Sequence, residues 1–424
     1  MRKISMLILM FSFTNIIFSQ INFQDYFEEK TLRFDYIHTG TNTTEEIIFD
    51  ELIEEPYWGG SKNNLVDTLN LGNFFFKIYD QLSGELIYSR GFGSLFQEWQ
   101  STEEAKHHKR VFNETVVFPF PKRDVKLEIL KRSKIGSFDV IYETKINPKD
   151  YFISKEKKMK HEVVEVHKSG DSSEKLDIVF LPEGYSQDEI NLFKEDCKIF
   201  SEYIFKYEPF SNYRNKINVW GVLAPSKESG TDIPGDSVWK STVLNSSFYT
   251  FDSERYLMTE DVKSVRDAAS NAPYDQIMIL VNTPKYGGGA IYNYYSMTSS
   301  KHPAAEKVFI HEFAHGLAGL ADEYGDDPTY HDYYSSSVEP WEKNITTLVN
   351  FEKKWKHLIK EGTPIPTPDS EEYKNNIGVF EGAGYVTKGV YRSTYDSLMR
   401  SLKVDSFNQV SIEALKEVLD FYTK

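Results

Sequence analysis

The chain has 424 residues, a formal net charge of −15 and a hydrophobic share of 40%, with aromatic residues at 15%. This length predicts two or three domains, and the apolar content is enough for packed cores, which excludes an intrinsically disordered chain. Nucleic acid or an anionic membrane would require clustered lysine and arginine, and the sequence has no long basic run. Neither is therefore expected as a partner.

Residues 1–20 predict an export signal. A basic start with Arg2 and Lys3 precedes an apolar stretch that ends near Phe18, which is the layout of a secretory signal peptide. No later stretch approaches the ~18 unbroken apolar residues of a membrane-spanning helix. We therefore expect a protein without a membrane span that is exported by a signal peptide to a periplasm, the cell surface or the extracellular space.

Residues 21–155 predict an N-terminal antiparallel β-sandwich. Short segments with rough alternation of apolar and polar residues are separated by turn residues, as in NFFFKIYD, ELIYSRGFG, ETVVFPFP, VKLEILKR and SFDVIYETKI. Such segments are typical of strands, and a series of short strands favours a sandwich. The lysine-rich stretch at 153–161 predicts a linker, and nothing before it indicates chemistry.

Residues 156–424 predict a second domain, of mixed α/β type. Apolar strands are predicted at 176–182, 215–225 and 275–282, and amphipathic helices at 186–205 and 253–270. This alternation predicts a parallel sheet covered by helices on both faces. The stretch AIYNYYS after three glycines predicts one short strand at the edge of that sheet, and a terminal helix is predicted at 411–422. The fold class is α+β with more than one domain.

The segment HEFAHGLAGLADEY, at 311–324, contains two histidines four residues apart. On a helix, His311 and His315 lie on one face, so both imidazoles can reach one ion at a Zn–N distance of ~2.1 Å. Glu312 follows the first histidine and is placed to hold a water molecule and accept its proton. The spacing therefore predicts a helix that binds one zinc ion per chain, with Glu312 as general base.

A catalytic zinc site needs a third protein ligand and an open position. Gly319 favours a left-handed turn that ends the helix and brings the chain back toward it. Asp322 comes just after that turn and is the first candidate for the third ligand. Glu323 competes with it, because one residue of slippage in the turn would exchange the two. His331 and the more distant Glu339 are the other candidates.

The zinc motif resembles that of the IgA peptidase family of secreted bacterial metallopeptidases, whose signature continues past H-E-x-x-H into Gly-Leu-x-Asp-Glu-Tyr. LDIVFLPEGYS, SGTDIP, ILVNTPKYGGGAIYN and FEGAGYVTKGVYRSTYDSLMR are also similar to stretches of that family, and together they cover about 175–405. The β-rich N-terminal part resembles the domain that often precedes the peptidase.

The resemblance implies a metzincin-like α/β zinc peptidase domain after the β-sandwich. Carried over by position, the site residues are the zinc ligands His311, His315 and Asp322, the base Glu312, and Met399 in a methionine turn beneath the metal. One departure from the common metzincin spacing is visible. Ala318 and Ala321 stand where that spacing has its glycine and third ligand, and Gly319 and Asp322 each come one residue later.

Two further groups of residues are expected to act on the substrate. An exposed edge strand binds an extended polypeptide by β-addition. The residues predicted to do so are Gly288, Gly289, Ala290 and Tyr292. A hydroxyl donor to the oxyanion is expected near the methionine turn, and the candidates are Tyr385, Tyr391 and Tyr395.

The sequence predicts a secreted zinc-dependent endopeptidase that hydrolyses peptide bonds with a metal-activated water. Its partner is a polypeptide substrate, such as a host or dietary protein. The first alternative is a non-catalytic surface binding protein for a glycan or a protein, with a structural or silent zinc site. Glu312 argues against it, because a purely structural site needs no base and closes with four protein ligands. A zinc hydrolase of another bond, such as a cell-wall amidase, is the second alternative.

Overall fold

The computed structural model describes residues 21–133, 135–156, 160–325 and 333–424. The predicted signal peptide and His331, one of the candidate zinc ligands, lie outside the described residues. Within these ranges, every helix is too short or too polar to cross a membrane.

The N-terminal part of the chain contains two antiparallel sheets. Its elements are helix α1 (Phe23–Tyr26), strands β1 (Phe27–Gly40), β2 (Glu45–Glu55), β3 (Phe74–Asp80) and β4 (Leu86–Phe92), helix α2 (Leu95–Gln100), and strands β5 (Arg110–Pro121), β6 (Val125–Arg132) and β7 (Phe138–Ile146). The first sheet has the order β2-β1-β5 and the second β4-β3-β6-β7. The five segments predicted as strands coincide with β3 to β7, so these five predictions are confirmed. Strands β1 and β2 are not among the predicted segments.

One apolar core is shared by the two N-terminal sheets. Phe34 and Phe118 come from the first sheet and Phe76 and Leu127 from the second, and all four side chains are at most 4% exposed. Burying such side chains stabilises the fold by roughly 1.5–3 kcal/mol each. This shared core joins the two sheets.

The C-terminal part of the chain is arranged around a six-stranded sheet. Its elements are strands β8 (Glu162–His167) and β9 (Leu176–Glu183), helix α3 (Ile190–Lys206), strand β10 (Ile217–Leu223), helix α4 (Val262–Ala269), strands β11 (Gln276–Val281), β12 (Gly288–Ile291) and β13 (Tyr295–Ser299), helix α5 (Ala305–Ala318), strands β14 (Ile345–Thr346), β15 (Phe380–Ala383) and β16 (Val386–Arg392), and helix α6 (Gln409–Thr423). The sheet order is β12-β13-β11-β9-β10-β8.

The central sheet is mainly parallel and is covered on both faces. Strands β9, β10, β11 and β13 run parallel, and the edge strands β8 and β12 run antiparallel. Helices α3, α5 and α6 share a core with one face of the sheet. The other face packs against α4 and against α2 from the N-terminal part. The mixed α/β prediction for this part of the chain is therefore confirmed.

Two predicted elements of this part are wrong in extent. The single strand expected at AIYNYYS is a hairpin, in which β12 and β13 pair antiparallel. Asn293, between the two strands, has a φ of +52°, and asparagine tolerates this left-handed conformation better than most residues. The helix expected at 253–270 starts only at Val262, where Asp261 caps it by accepting a hydrogen bond from the Ser264 amide.

Candidate metal centre

Helix α5 carries both histidines of the motif and packs against β13. Phe309 and Phe313 on its inner face are fully buried in the core. Gly316 lies where the helix approaches the sheet most closely, since a Cβ there would lie 2.1 Å from the Ser296 hydroxyl oxygen. His311 and His315 are half-buried on the face that lines a cleft.

Gly319 ends α5 as the spacing predicted. Its φ is +57° and its N–H donates to the carbonyl of His315 at 2.9 Å. A Cβ at this position would also lie 2.3 Å from the Trp341 ring, so glycine is required both for the left-handed turn and for the close packing. After this turn the chain returns toward the helix and brings Asp322 to the two histidines.

Three electron-pair donors converge at this point. The Nε2 atoms of His311 and His315 are 3.0 Å apart, and Asp322 Oδ1 lies 3.1 Å from the first and 3.4 Å from the second. Ligands held about 2.1 Å from one tetrahedral ion are about 3.4 Å from one another. The side-chain positions therefore fit a single metal ion.

The hydrogen bonds around the cluster support the same interpretation. Nδ1 of His311 faces the Leu398 carbonyl at 3.0 Å, and Nδ1 of His315 faces the Leu320 carbonyl. A ring that donates its Nδ1 proton to a carbonyl presents a lone pair at Nε2. Asp322 Oδ1 is buried and has no hydrogen-bond partner among the described residues. Lone pairs that face each other in this way repel unless a cation lies between them.

The second carboxylate oxygen of Asp322 has a partner of its own. Tyr385 donates its hydroxyl hydrogen to Oδ2 at 2.8 Å, and the Gly384 N–H donates to the main-chain oxygen of Asp322 at 2.9 Å. These bonds fix the carboxylate so that Oδ1 faces the imidazoles.

Glu323, the competing candidate, faces a different set of partners. Its fully buried carboxylate accepts hydrogen bonds from Ser397 Oγ at 2.6 Å, from Asn344 Nδ2 at 3.0 Å and from Asn408 Nδ2 at 3.0 and 3.1 Å. Glu339 accepts from the Asn350 N–H at 2.9 Å. Both carboxylates therefore have their hydrogen-bond partners outside the metal cluster. Among the described residues, this cluster consists of His311, His315 and Asp322.

Met399 lies behind the cluster and is fully buried. Its carbonyl accepts the N–H of Glu323 at 2.8 Å, and the preceding residue, Leu398, supplies the carbonyl that faces His311. This segment therefore contacts both the first histidine and the turn that carries the carboxylate.

The cluster opens into a cleft of about 610 Å³. Glu312 lines this cleft beside the edge strand, because a Cβ on Gly288 would lie 2.9 Å from Glu312 Oε1. Burial raises the pKa of the Glu312 carboxyl, although the neighbouring imidazoles act in the opposite direction. Of the three tyrosines considered as hydroxyl donors, Tyr385 lines the cleft, whereas Tyr391 and Tyr395 are not among its lining residues.

The edge strand is less open than the sequence suggested. Gly288 donates its N–H to the Arg255 carbonyl at 3.4 Å and accepts from the Leu257 N–H at 3.2 Å. At the other end, the Tyr292 carbonyl accepts the Gly93 N–H at 2.8 Å. Gly289 and Ala290 lie between these two ends, and their backbone N–H and C=O groups point in different directions.

The backbone groups of Gly289 face β13, and those of Ala290 face away from the sheet. This follows from the bond between the Ser299 N–H and the Gly287 carbonyl, because alternate residues of an antiparallel pair exchange hydrogen bonds. Ala290 is therefore the position of β12 at which an added chain can pair without displacing a bond seen here.

Several residues of the cleft were missed from the sequence. They come from separate segments and are Gln97, Glu98, Arg255, Tyr256, Tyr286 and Tyr324. Tyr286 and Tyr324 lie next to stretches already singled out, in KYGGG and ADEY, which is a weak signal. The other four carry no spacing that would connect them to the histidines.

The chain matches two family models. The model described as IgA Peptidase M64 matches residues 164–376 and 369–419, more than half of the chain, and the model described as Peptidase M64 N-terminus matches residues 22–143. The chain belongs to the IgA peptidase M64 family. The protein is therefore a peptidase, a hydrolase whose substrate is a polypeptide. No curated protein matches the chain.

Proposed function

We propose that this peptidase is an exported zinc-dependent endopeptidase. The observation that carries the proposal is a carboxylate, Glu312, that lines the cleft next to three convergent metal-binding atoms without belonging to them. A site that only stabilises the fold has no use for such a group, whereas hydrolysis needs a base beside the reacting water.

His311, His315 and Asp322 are the proposed zinc ligands. Two imidazole nitrogens and one carboxylate oxygen form a donor set that suits zinc. When bound there, zinc would lower the pKa of a water molecule and polarise the peptide carbonyl.

Glu312 is the proposed general base. Its carboxylate accepts the proton of the attacking water and later gives it to the leaving amine. Burial raises its pKa, which makes the carboxylate a better proton acceptor than an exposed one. Gly288 leaves room for this carboxylate beside the edge strand.

Substrate binding is proposed to begin at Ala290. Its outward N–H and C=O can pair with one residue of an extended polypeptide, which sets the register of the chain in the cleft. Tyr385 is the proposed hydroxyl donor to the oxyanion, because it alone of the three candidate tyrosines lines the cleft. Its one hydroxyl hydrogen, which is donated to Asp322 Oδ2 in the structure, would turn to the oxyanion during the reaction.

The fold supports these assignments. The parallel strands, the antiparallel edge strand and the following histidine helix agree with a metzincin-like domain at 156–424, with Met399 in the methionine turn. The two N-terminal sheets with one core agree with a β-sandwich at 21–155. Export by a signal peptide at 1–20 completes the proposal.

Purified chain without its predicted signal peptide tests the proposal. We expect one zinc ion per chain and cleavage of unstructured polypeptide within the chain rather than from its ends. Glu312→Gln should keep the zinc ion and lower kcat by roughly 10²–10⁴-fold. Stoichiometric zinc without cleavage of any polypeptide would instead support the surface binding protein.

A further inference from the structure

Helix α2 belongs to the N-terminal part but packs into the C-terminal core. Phe96 and Trp99 on its buried face are fully buried and share a cluster with Val179 and Ile279 of the central sheet. The Gly93 N–H, just before the helix, bonds to the Tyr292 carbonyl at the end of the edge strand. The helix is thus fixed directly beside the strand that is proposed to bind substrate.

The polar face of α2 lines the cleft. Gln97 and Glu98 are lining residues together with Glu312 and Ala290. The N-terminal part of the protein is therefore not a separate module at this point, because it forms one wall of the same cleft.

Only one oxygen of the Glu98 carboxylate has a hydrogen-bond partner among the described residues. Oε2 accepts a hydrogen bond from the Tyr256 hydroxyl. Oε1 has no hydrogen-bond partner within the described part of the chain. This oxygen is not fully buried. The Tyr256 ring lies against Gly289, where a Cβ would come within 2.5 Å of it. Glu98 is therefore separated from the edge strand by one aromatic ring.

The two faces of the edge strand lead to different side chains. A Cβ on Gly288 would meet Glu312 on the histidine helix, and a Cβ on Gly289 would meet the Met258 sulfur and the Tyr256 ring. Successive residues of an added strand also point to opposite faces. A substrate paired at Ala290 consequently directs one side chain toward the histidine helix and the next toward Tyr256 and Glu98.

We propose that Glu98 is a specificity-determining residue that selects a basic side chain, lysine or arginine, at one subsite of the cleft. Burial raises the pKa of the Glu98 carboxyl to about 7. In its ionised form the carboxylate offers a cationic group an oxygen that has no partner among the described residues, and hydrogen bonds to charged groups are among the stronger polar contacts. Two arginines line the cleft. Arg255 contacts Tyr324, a residue of the turn that carries Asp322, and Arg400 donates to the Tyr395 carbonyl. The inference rests on the proposed function, because both concern one cleft.

Matched peptides test the inference by binding and by cleavage. Zinc-loaded Glu312→Gln protein is titrated with blocked peptides that differ only in lysine or norleucine at one position, and the position is varied through the peptide. The same peptides are offered to the parent enzyme for cleavage. Glu98→Gln and Glu98→Lys are made in both backgrounds, with Glu103→Gln as control. Glu103 follows α2 in sequence but binds Lys106 and His107 outside the cleft.

We expect lysine to be preferred at one position by roughly tenfold, Glu98→Gln to remove that preference, and Glu98→Lys to favour glutamate there. Glu103→Gln should leave the preference unchanged. The inference is overturned if the parent shows no such preference, or if both Glu98 variants retain it. Cleavage with an unaltered profile would refute the role of Glu98 alone. Peptide binding without any cleavage by the parent would refute the proposed function and leave the binding data to decide the role of Glu98.

Discussion

Gly288→Ala tests whether the position of Glu312 controls the rate. The new methyl group would lie 2.9 Å from Glu312 Oε1, 3.0 Å from Glu312 Cγ and 2.9 Å from Val308 Cγ1. Ordinary van der Waals contact begins near 3.4 Å. Because two of these three atoms belong to Glu312, relief of the overlap requires its carboxylate to move by about half an ångström.

The size of the effect follows from that displacement. A misplacement of about 1 Å at a reacting group costs on the order of 10²-fold in rate, so half that distance should lower kcat by roughly tenfold. Added volume at a packed position also lowers the free energy of unfolding by about 1–3 kcal/mol. The zinc content should stay at the parent value, because the new methyl group does not contact the three proposed ligands.

Gly221→Ala is the matched control for the cost of packing. A Cβ on Gly221 would lie 3.0 Å from Val164 and 3.1 Å from the Cys197 sulfur, so its free energy of unfolding should fall by a comparable amount while kcat stays unchanged. Steady-state kinetics, urea unfolding and metal analysis are measured for both variants. An unchanged kcat in folded, zinc-loaded Gly288→Ala would show that the present position of Glu312 is not needed for the reaction, and would refute its role as base.

Three other substitutions probe the surroundings of the site and the core. Tyr385→Phe removes the hydrogen bond to Asp322 Oδ2, so zinc affinity should fall about 10- to 100-fold in chelator competition. Glu323→Gln replaces one acceptor oxygen by an NH₂ group that faces the donors Ser397, Asn344 and Asn408. The free energy of urea unfolding of the metal-free protein should therefore fall by about 1–3 kcal/mol. Burial raises the pKa of Asp177 from 3.8 to about 6, so the folded parent binds this proton more tightly than the unfolded chain does. The stability of the parent should therefore fall by up to about 3 kcal/mol as the pH rises from 4 to 6. Asp177→Asn should make this fall smaller in urea unfolding across that range, and its amide oxygen can still accept from Trp220.

The helix with the two histidines and the turn after it could be predicted because they depend on short spacings. His311 and His315 are one helical turn apart, and Gly319 is the residue that can reverse the chain just after them. Spacing alone does not separate Asp322 from Glu323, since both lie within reach of the ion after such a turn. The structure separates them through Asn408 and other buried partners of Glu323, which come from distant parts of the chain.

The fold was predictable where apolar residues alternate and unpredictable where buried residues are polar. Strand β6 alternates clearly and was found with its observed bounds. Strand β1 was missed because Arg33, Asp35 and His38 interrupt the apolar pattern although each is at most 1% exposed. Sequence patterns treat such residues as exposed, since a charged side chain is seldom buried without a partner.

The partners of Arg33 explain both that failure and the role of the N-terminal part. Its guanidinium lies 2.9 Å from Asp35 and 3.4 Å from Glu55 within the first sheet, and 2.8 Å from Asp267 on α4. The buried charge is therefore neutralised by carboxylates from two distant parts of the chain. Removal of the N-terminal part would leave Asp267 without this cation, expose the face of the central sheet that α2 covers, and take away the Glu98 wall of the cleft. A binding module joined by a flexible linker would lack such contacts. The N-terminal residues are therefore better understood as a part of the peptidase itself, which has to be present for the cleft to have its shape.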